Sequence, residues 1–157
     1  MSSEARILLV DDHIGDVTWL VDFLEARGYE VDQVANEEAA RHKLEAVKDG
    51  RESYALAIID IMVSIKDIMD LVNLDEKFFE ESRETGIRLC AYARKDLKLD
   101  AGDLLIVCIS ARSDHEEIQK SLLELGIRLF SRVPQTRDES IREYLKETLP
   151  KIGEAVG

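Results

Sequence analysis

Three short apolar runs, each ending in an acid or a hydroxyl, constrain this chain more tightly than anything else in it. Ile7-Leu8-Leu9-Val10 runs into Asp11-Asp12, Leu56-Ala57-Ile58-Ile59 into Asp60, and the segment from Leu104 to Ile109 into Ser110. A brief isoleucine-rich run bounded by polar residues reads as a strand buried on both faces, the situation found in parallel sheets. Parallel strands need a crossover between them, and the intervening sequence supplies helices.

Val17, Leu20, Val21 and Leu24 form an i, i+3, i+4, i+7 stripe that stops near Gly28 in a left-handed cap. Tyr29 to Val34 alternates and reads as a second strand, with Val31 and Val34 turned inward. Asn36 is suited to cap a helix through Val47, with Ala40, Leu44 and Val47 inside and Asp49-Gly50 at its end. Gly86 opens a helix with Ile87, Cys90, Ala91 and Arg94 along one side, ending near Asp100-Ala101-Gly102. Ser113 and Glu116 form a capping-box pattern for a helix holding Ile118, Leu122 and Leu125, which Gly126 ends. Ile127 to Val133 reads as a fifth strand broken by Pro134, and Ile141, Leu145 and Leu149 mark a last helix. This alternation predicts an α/β fold: a flavodoxin-like, doubly wound, five-stranded parallel sheet of order 2-1-3-4-5, with helices on both faces.

The stretch from Ile61 to Thr85 interrupts the pattern. Crossover loops usually run ~2–6 residues. This one carries seven acids against three bases, and Ile65, Ile68, Met69 and Val72 recur at helical spacing. An extra helix packed on the body is the favoured reading of this insertion. The competing one is an apolar face offered to a partner helix or to a second copy, so a homodimer is left open.

Charge then excludes whole classes of partner. The formal net charge of −12 opposes nucleic acid, whose phosphates demand clustered Lys and Arg, and it equally opposes an anionic membrane surface. No apolar run approaches the ~20 residues of a membrane span, and the amino terminus lacks the apolar core of a secretion signal. Cys90 and Cys108 lie inside apolar patterns and read as buried free thiols. A single cytoplasmic domain over residues 1–157 is expected.

In an open α/β sheet, ligands bind beyond the carboxyl ends of the strands. If strands one and three are neighbours, Asp11, Asp12 and Asp60 share one small volume there. Three like charges so close require protonation or a cation, and a hard divalent ion such as Mg2+ suits an all-oxygen donor set. An aspartate after a strand is often only a loop anchor, but three at one edge make that reading poor.

Ile7-Leu8-Leu9-Val10-Asp11-Asp12-His13, Asp60 at the third strand tip and Ser110-Ala111 at the fourth together resemble the receiver domain of bacterial response regulators. The resemblance covers nearly the whole chain apart from the insertion. It implies that Asp60 is a phosphoacceptor forming an aspartyl phosphate, and that Asp11, Asp12, Asp60 and the main-chain carbonyl of Met62 hold Mg2+. It implies further that Ser110 donates its hydroxyl to a phosphate oxygen, and that Phe130 is the aromatic residue that turns inward on activation. A sensor histidine kinase or a histidine phosphotransfer protein would supply the phosphoryl group. With no output domain in the chain, a downstream protein target would read the fourth helix, fifth strand and fifth helix. The domain would be no enzyme beyond its own phosphorylation and dephosphorylation.

Two departures from the family pattern stand out. The family has a lysine just before the proline that closes strand five. Counting back from Pro134 puts Val133 there, whereas counting forward from Ser110 points to Arg132 as the phosphate-binding cation, with Arg112 a further candidate at the rim. Second, Met62-Val63-Ser64 leads into the insertion where the family has a short turn containing proline. These departures motivate the rival expectation, a pseudo-receiver that signals by binding without phosphorylation. His13 is expected to line the site as a loop residue.

Overall fold

The computed structural model describes residues 6–11, 18–61, 85–110, 116–131 and 141–149. Five parallel strands, β1 (Arg6–Val10), β2 (Glu30–Val34), β3 (Leu56–Asp60), β4 (Ile106–Ser110) and β5 (Arg128–Ser131), form one sheet in the order β2-β1-β3-β4-β5. Between and after them lie α1 (Thr18–Ala26), α2 (Glu37–Lys48), α3 (residues 85–96, whose last turn Tyr92–Asp96 is a π-helix), α4 (Glu116–Glu124) and α5 (Ile141–Thr148). This is the expected doubly wound, flavodoxin-like architecture.

Side-chain alternation along the strands divides the core in two. Leu8, Val10, Ala57, Ile59, Ile61, Ile106 and Cys108 pack against α2, α3 and α4 through Ala40, Leu44, Leu89, Cys90, Ala93, Ile118 and Leu122. On the opposite face, Ile7, Leu9, Leu56, Ile58, Val107, Ile109 and Phe130 meet Leu20, Val21 and Leu24 of α1, Ile141 and Leu145 of α5, and Leu149 just after it. Every residue of β3 and β4 is buried, which is why both read as unbroken apolar runs. Each fully buried Leu or Ile contributes about 1.5–3 kcal/mol by leaving water. β2 lies at the sheet edge, so Val31 and Val34 are only half-buried.

Local signals explain the element ends. The Asn36 side chain accepts from the Ala39 N–H at 2.9 Å, satisfying a donor that the first turn of α2 leaves open. Gly28, after α1, has φ 96°, a left-handed conformation with no steric cost for glycine.

α3 departs from its expected form in two respects. Its buried stripe is Gly86, Leu89, Cys90 and Ala93, whereas Ile87, Ala91 and Arg94 are half-buried. The helix is rotated because Gly86 lies flush against the main chain after β3. It also ends earlier than Asp100, since the π turn closes with the Leu97 N–H on the Tyr92 carbonyl and Lys98 turns left-handed at φ 56°. Arg94 then folds back, donating to the carbonyls of Leu99 and Leu104 at 2.7 and 2.9 Å. Burial holds its guanidinium below the usual arginine range, against the upward pull of nearby acidic groups.

Near the amino-terminal ends of β1 and β3 lies a half-buried ion network. Arg6 pairs with Glu52 at 2.5 Å and Asp32 at 3.2 Å, and Lys43 pairs with Asp32 at 3.0 Å. The Tyr54 hydroxyl donates to Asp32 at 2.5 Å, beneath an Arg6 guanidinium 5.0 Å from its ring centre. Burial raises the Asp32 carboxyl, but the Tyr54 hydroxyl, Lys43 and Arg6 together bring it below the usual carboxylate range.

Candidate functional site

The carboxyl-terminal edge of the sheet gathers three of the residues singled out from the sequence. β1 and β3 are neighbours with Val10 opposite Ile59, so the next residues, Asp11 and Asp60, are level with one another. The Asp11 N–H donates to the Val34 carbonyl at 3.0 Å, extending the β1–β2 ladder one residue past the strand. Asp60 faces Ile109 on β4, and Ser110 is the next residue along. Exposure is 0% for Asp11 and 1% for both Asp60 and Ser110.

Asp11 follows Leu9 and Asp60 follows Ile58 in the alternation, so both acids fall on the α1 and α5 side of the sheet. Ser110 follows Cys108 on the other side, where α3 and α4 pack. Two buried carboxylates on adjacent strands form a hard-oxygen site at this edge, and that donor chemistry fits a divalent cation such as Mg2+. Among the described residues no group of three potential metal-ligating side chains occurs. The expected third carboxylate, Asp12, lies outside the described residues, as do Met62, Arg132, Val133, Pro134, His13, Arg112 and Ser113. So does the interior of the expected insertion, residues 62–84.

Phe130 is 2% exposed and stands against Tyr144 of α5, ring centres 5.0 Å apart, with the Arg128 guanidinium 5.0 Å from one ring and 4.9 Å from the other. It is therefore a core residue. Cys90 and Cys108 are buried free thiols, as expected, with sulfurs 3.3 Å apart. Burial, the hydrogen bond to Cys90 and the charge of Asp60 push the Cys108 thiol well above its ordinary range.

Sequence reasoning missed how closely α3 approaches the site. The Gly86 N–H donates to the Ile61 carbonyl at 3.0 Å, and Thr85 beside it is fully buried. Arg88, one turn on, bonds Thr85 Oγ1 at 3.2 Å and pairs with Glu37 of α2 at 3.1 Å. A glycine at a helix start is a weak signal, because it serves equally as a loop residue.

No family model matches the chain, and no curated relative does either. Solved structures do match. A response regulator receiver domain protein (CheY-like) from Methanospirillum hungatei superposes with a TM-score of 0.62 at 22% identity, over 98% of this chain and 99% of that one. The response regulator TrrA from Thermotoga maritima, in complex with Mg2+-BeF, gives 0.60 at 24% identity over 92% and 98%. A response regulator from Burkholderia pseudomallei with a phosphorylated aspartic acid, a calcium ion and citrate gives 0.59 at 19% identity over 98% and 71%. This likeness is one of fold.

Proposed function

We propose that this chain, which has the fold of response regulator receiver domains, is a receiver that accepts a phosphoryl group on Asp60 and signals through protein contacts. The observation that carries the reading is the register: Asp11 and Asp60 lie level on adjacent strands at the ligand-binding edge, both buried, with Ser110 on the next strand. Asp11, Asp12, Asp60 and the Met62 carbonyl would hold Mg2+, which neutralises the charge of the incoming phosphoryl group.

In the transfer, an oxygen of the ionised Asp60 carboxylate bonds to phosphorus. The P–N bond of a phosphohistidine, or the P–O bond of an acyl phosphate, breaks with its electrons leaving on the donor. Ser110 donates its hydroxyl to an oxygen of the transferred group, and Arg132 adds a cation. An arginine at that place grips phosphate with a planar fork, where a lysine offers a point charge. Drawing Ser110 towards Asp60 pulls on the end of β4, and the strain passes to α4 and β5. Leu123, on α4, is 78% exposed and offers an apolar foothold for a downstream protein target. The phosphoryl donor would be a sensor histidine kinase or a histidine phosphotransfer protein. No helix among the described residues is long and apolar enough to cross a membrane, which is compatible with a cytoplasmic relay.

Support for the neighbour role of a metal comes from the TrrA and Burkholderia pseudomallei structures, which carry Mg2+-BeF in one case and calcium with a phosphorylated aspartate in the other. The second reading, a pseudo-receiver that acts by binding alone, draws on the absence of a lysine immediately before Pro134. Incubation with acetyl phosphate and Mg2+, followed by intact mass, separates the two. One added phosphoryl group on wild type and none on Asp60→Asn supports phosphorylation. An unmodified wild type, under conditions that label a control receiver, supports the pseudo-receiver.

A further inference from the structure

We infer that Gly86 is a positioning residue for Asp60: it sets the peptide on which the Asp60 carboxylate stands, because no side chain fits between α3 and that peptide. The inference rests on the reading of Asp60 as the phosphoacceptor. A Cβ on residue 86 would lie 2.5 Å from Ile61 Cα, 2.6 Å from the Asp60 carbonyl oxygen and 2.8 Å from that of Ile61. All three are main-chain atoms, so no rotamer change relieves the overlap. Gly28, Gly50 and Gly126, by contrast, have φ of 96°, 79° and 70° and answer a backbone requirement. At Gly86 the requirement is space.

The peptide after Asp60 is held from both sides. The Ile61 N–H donates to the Ile109 carbonyl of β4 at 3.0 Å, the Ile61 carbonyl accepts from Gly86 at 3.0 Å, and the Ile61 side chain is fully buried. α3 cannot yield easily, since Leu89, Cys90 and Ala93 anchor it in the core and Arg88 ties its first turn to Glu37. A methyl group at residue 86 therefore displaces the end of β3, and the carboxylate moves with it. In the sequence, residues 62–84 lie between Ile61 and Thr85, and the Gly86–Ile61 hydrogen bond joins the described segments on either side of them.

A displacement near 1 Å at a reacting group costs on the order of a hundredfold in rate. Gly86→Ala should accordingly take phosphoryl from acetyl phosphate at least about tenfold more slowly than wild type. Leu44→Ala, a core truncation on α2 remote from this contact, serves as the stability control; it should label at the wild-type rate below its melting transition. Hydrogen exchange at the Ile61 amide should quicken in Gly86→Ala and not in the control. Adding Ile61→Ala should not restore labelling, because the overlap is with main chain. Equal labelling in Gly86→Ala and Leu44→Ala, or rescue by Ile61→Ala, overturns the inference. If wild type takes no phosphoryl group, the phosphoacceptor reading fails separately, and unchanged Ile61 exchange in Gly86→Ala then overturns the placement itself. Should Gly86→Ala not fold, Arg88→Ala loosens the same turn without adding an atom: slower labelling with faster Ile61 exchange supports the inference, and no change in either overturns it.

Discussion

Removing one charge from the acidic edge should stabilise the metal-free protein. Adjacent strands lie about 4.8 Å apart, and Asp11 and Asp60 are level on neighbouring strands. At an effective dielectric of ~20, two unit charges at about that spacing repel by about 3 kcal/mol. An effective dielectric of ~40, between that figure and the ~80 of water, leaves a net penalty of about 1–2 kcal/mol. Asp60→Asn keeps the shape and removes the charge. In EDTA it should melt about 2–8 °C above wild type, given ~2–4 °C per kcal/mol for a chain of this size. Mg2+ should reverse the order. At a hundred times its dissociation constant a ligand adds about 2.7 kcal/mol to the folded state, and wild type binds the ion better than the variant. The assay is a pair of thermal melts followed by circular dichroism, with EDTA and with saturating Mg2+. An Asp60→Asn protein that melts below wild type in EDTA, together with a wild type indifferent to Mg2+, would refute the like-charge argument.

Three further outcomes are expected. Asn36→Ala should cost about 1 kcal/mol in urea denaturation, the usual worth of a helix N-cap; an unchanged midpoint would mean that the Ala39 N–H finds water instead. Asp32 titrates below its ordinary value in the folded state, so its contribution is present above the ordinary carboxylate pKa and is lost as pH falls through the folded value. Wild type should therefore exceed Asp32→Asn by about 1 kcal/mol at neutral pH and converge with it in acid, whereas a gap independent of pH would contradict the assignment. Finally, Cys90 and Cys108 should resist alkylation in the native protein and react fully in urea, since both are buried and Cys108 is held protonated; rapid native labelling would place at least one thiol at the surface.

The architecture was legible because the central strands are buried on both faces. An apolar run such as Leu56 to Ile59 then has few alternative readings, and Asp60 at its end marks the functional edge without any knowledge of tertiary contacts. Asn36 and Gly28 were equally readable, since capping acts over a few neighbouring residues. The face of α3 was not. Its rotation depends on a contact between Gly86 and the main chain of Asp60 and Ile61, and periodicity records apolar positions, not close approaches of backbone. Ile87 and Ala91 are apolar, so they entered the stripe, while Leu89 and Ala93 carry the burial. The π turn escaped for a related reason, because Tyr92 to Asp96 has no composition that separates it from an ordinary helix end. The network of Arg6, Asp32, Lys43, Glu52 and Tyr54 joins four separate elements and loops, and no local pattern announces it.

The central claim, that Asp60 accepts a phosphoryl group at an edge shared with Asp11 and Ser110, is tested most directly by a crystal structure of the protein with Mg2+ and beryllofluoride. The account predicts the fluoride group bonded to the Asp60 carboxylate, the metal between it and Asp11, and the Ser110 hydroxyl within hydrogen-bond distance of a fluorine. Beryllofluoride absent from Asp60 while Mg2+ and fluoride are in excess, or bound elsewhere on the chain, would contradict it.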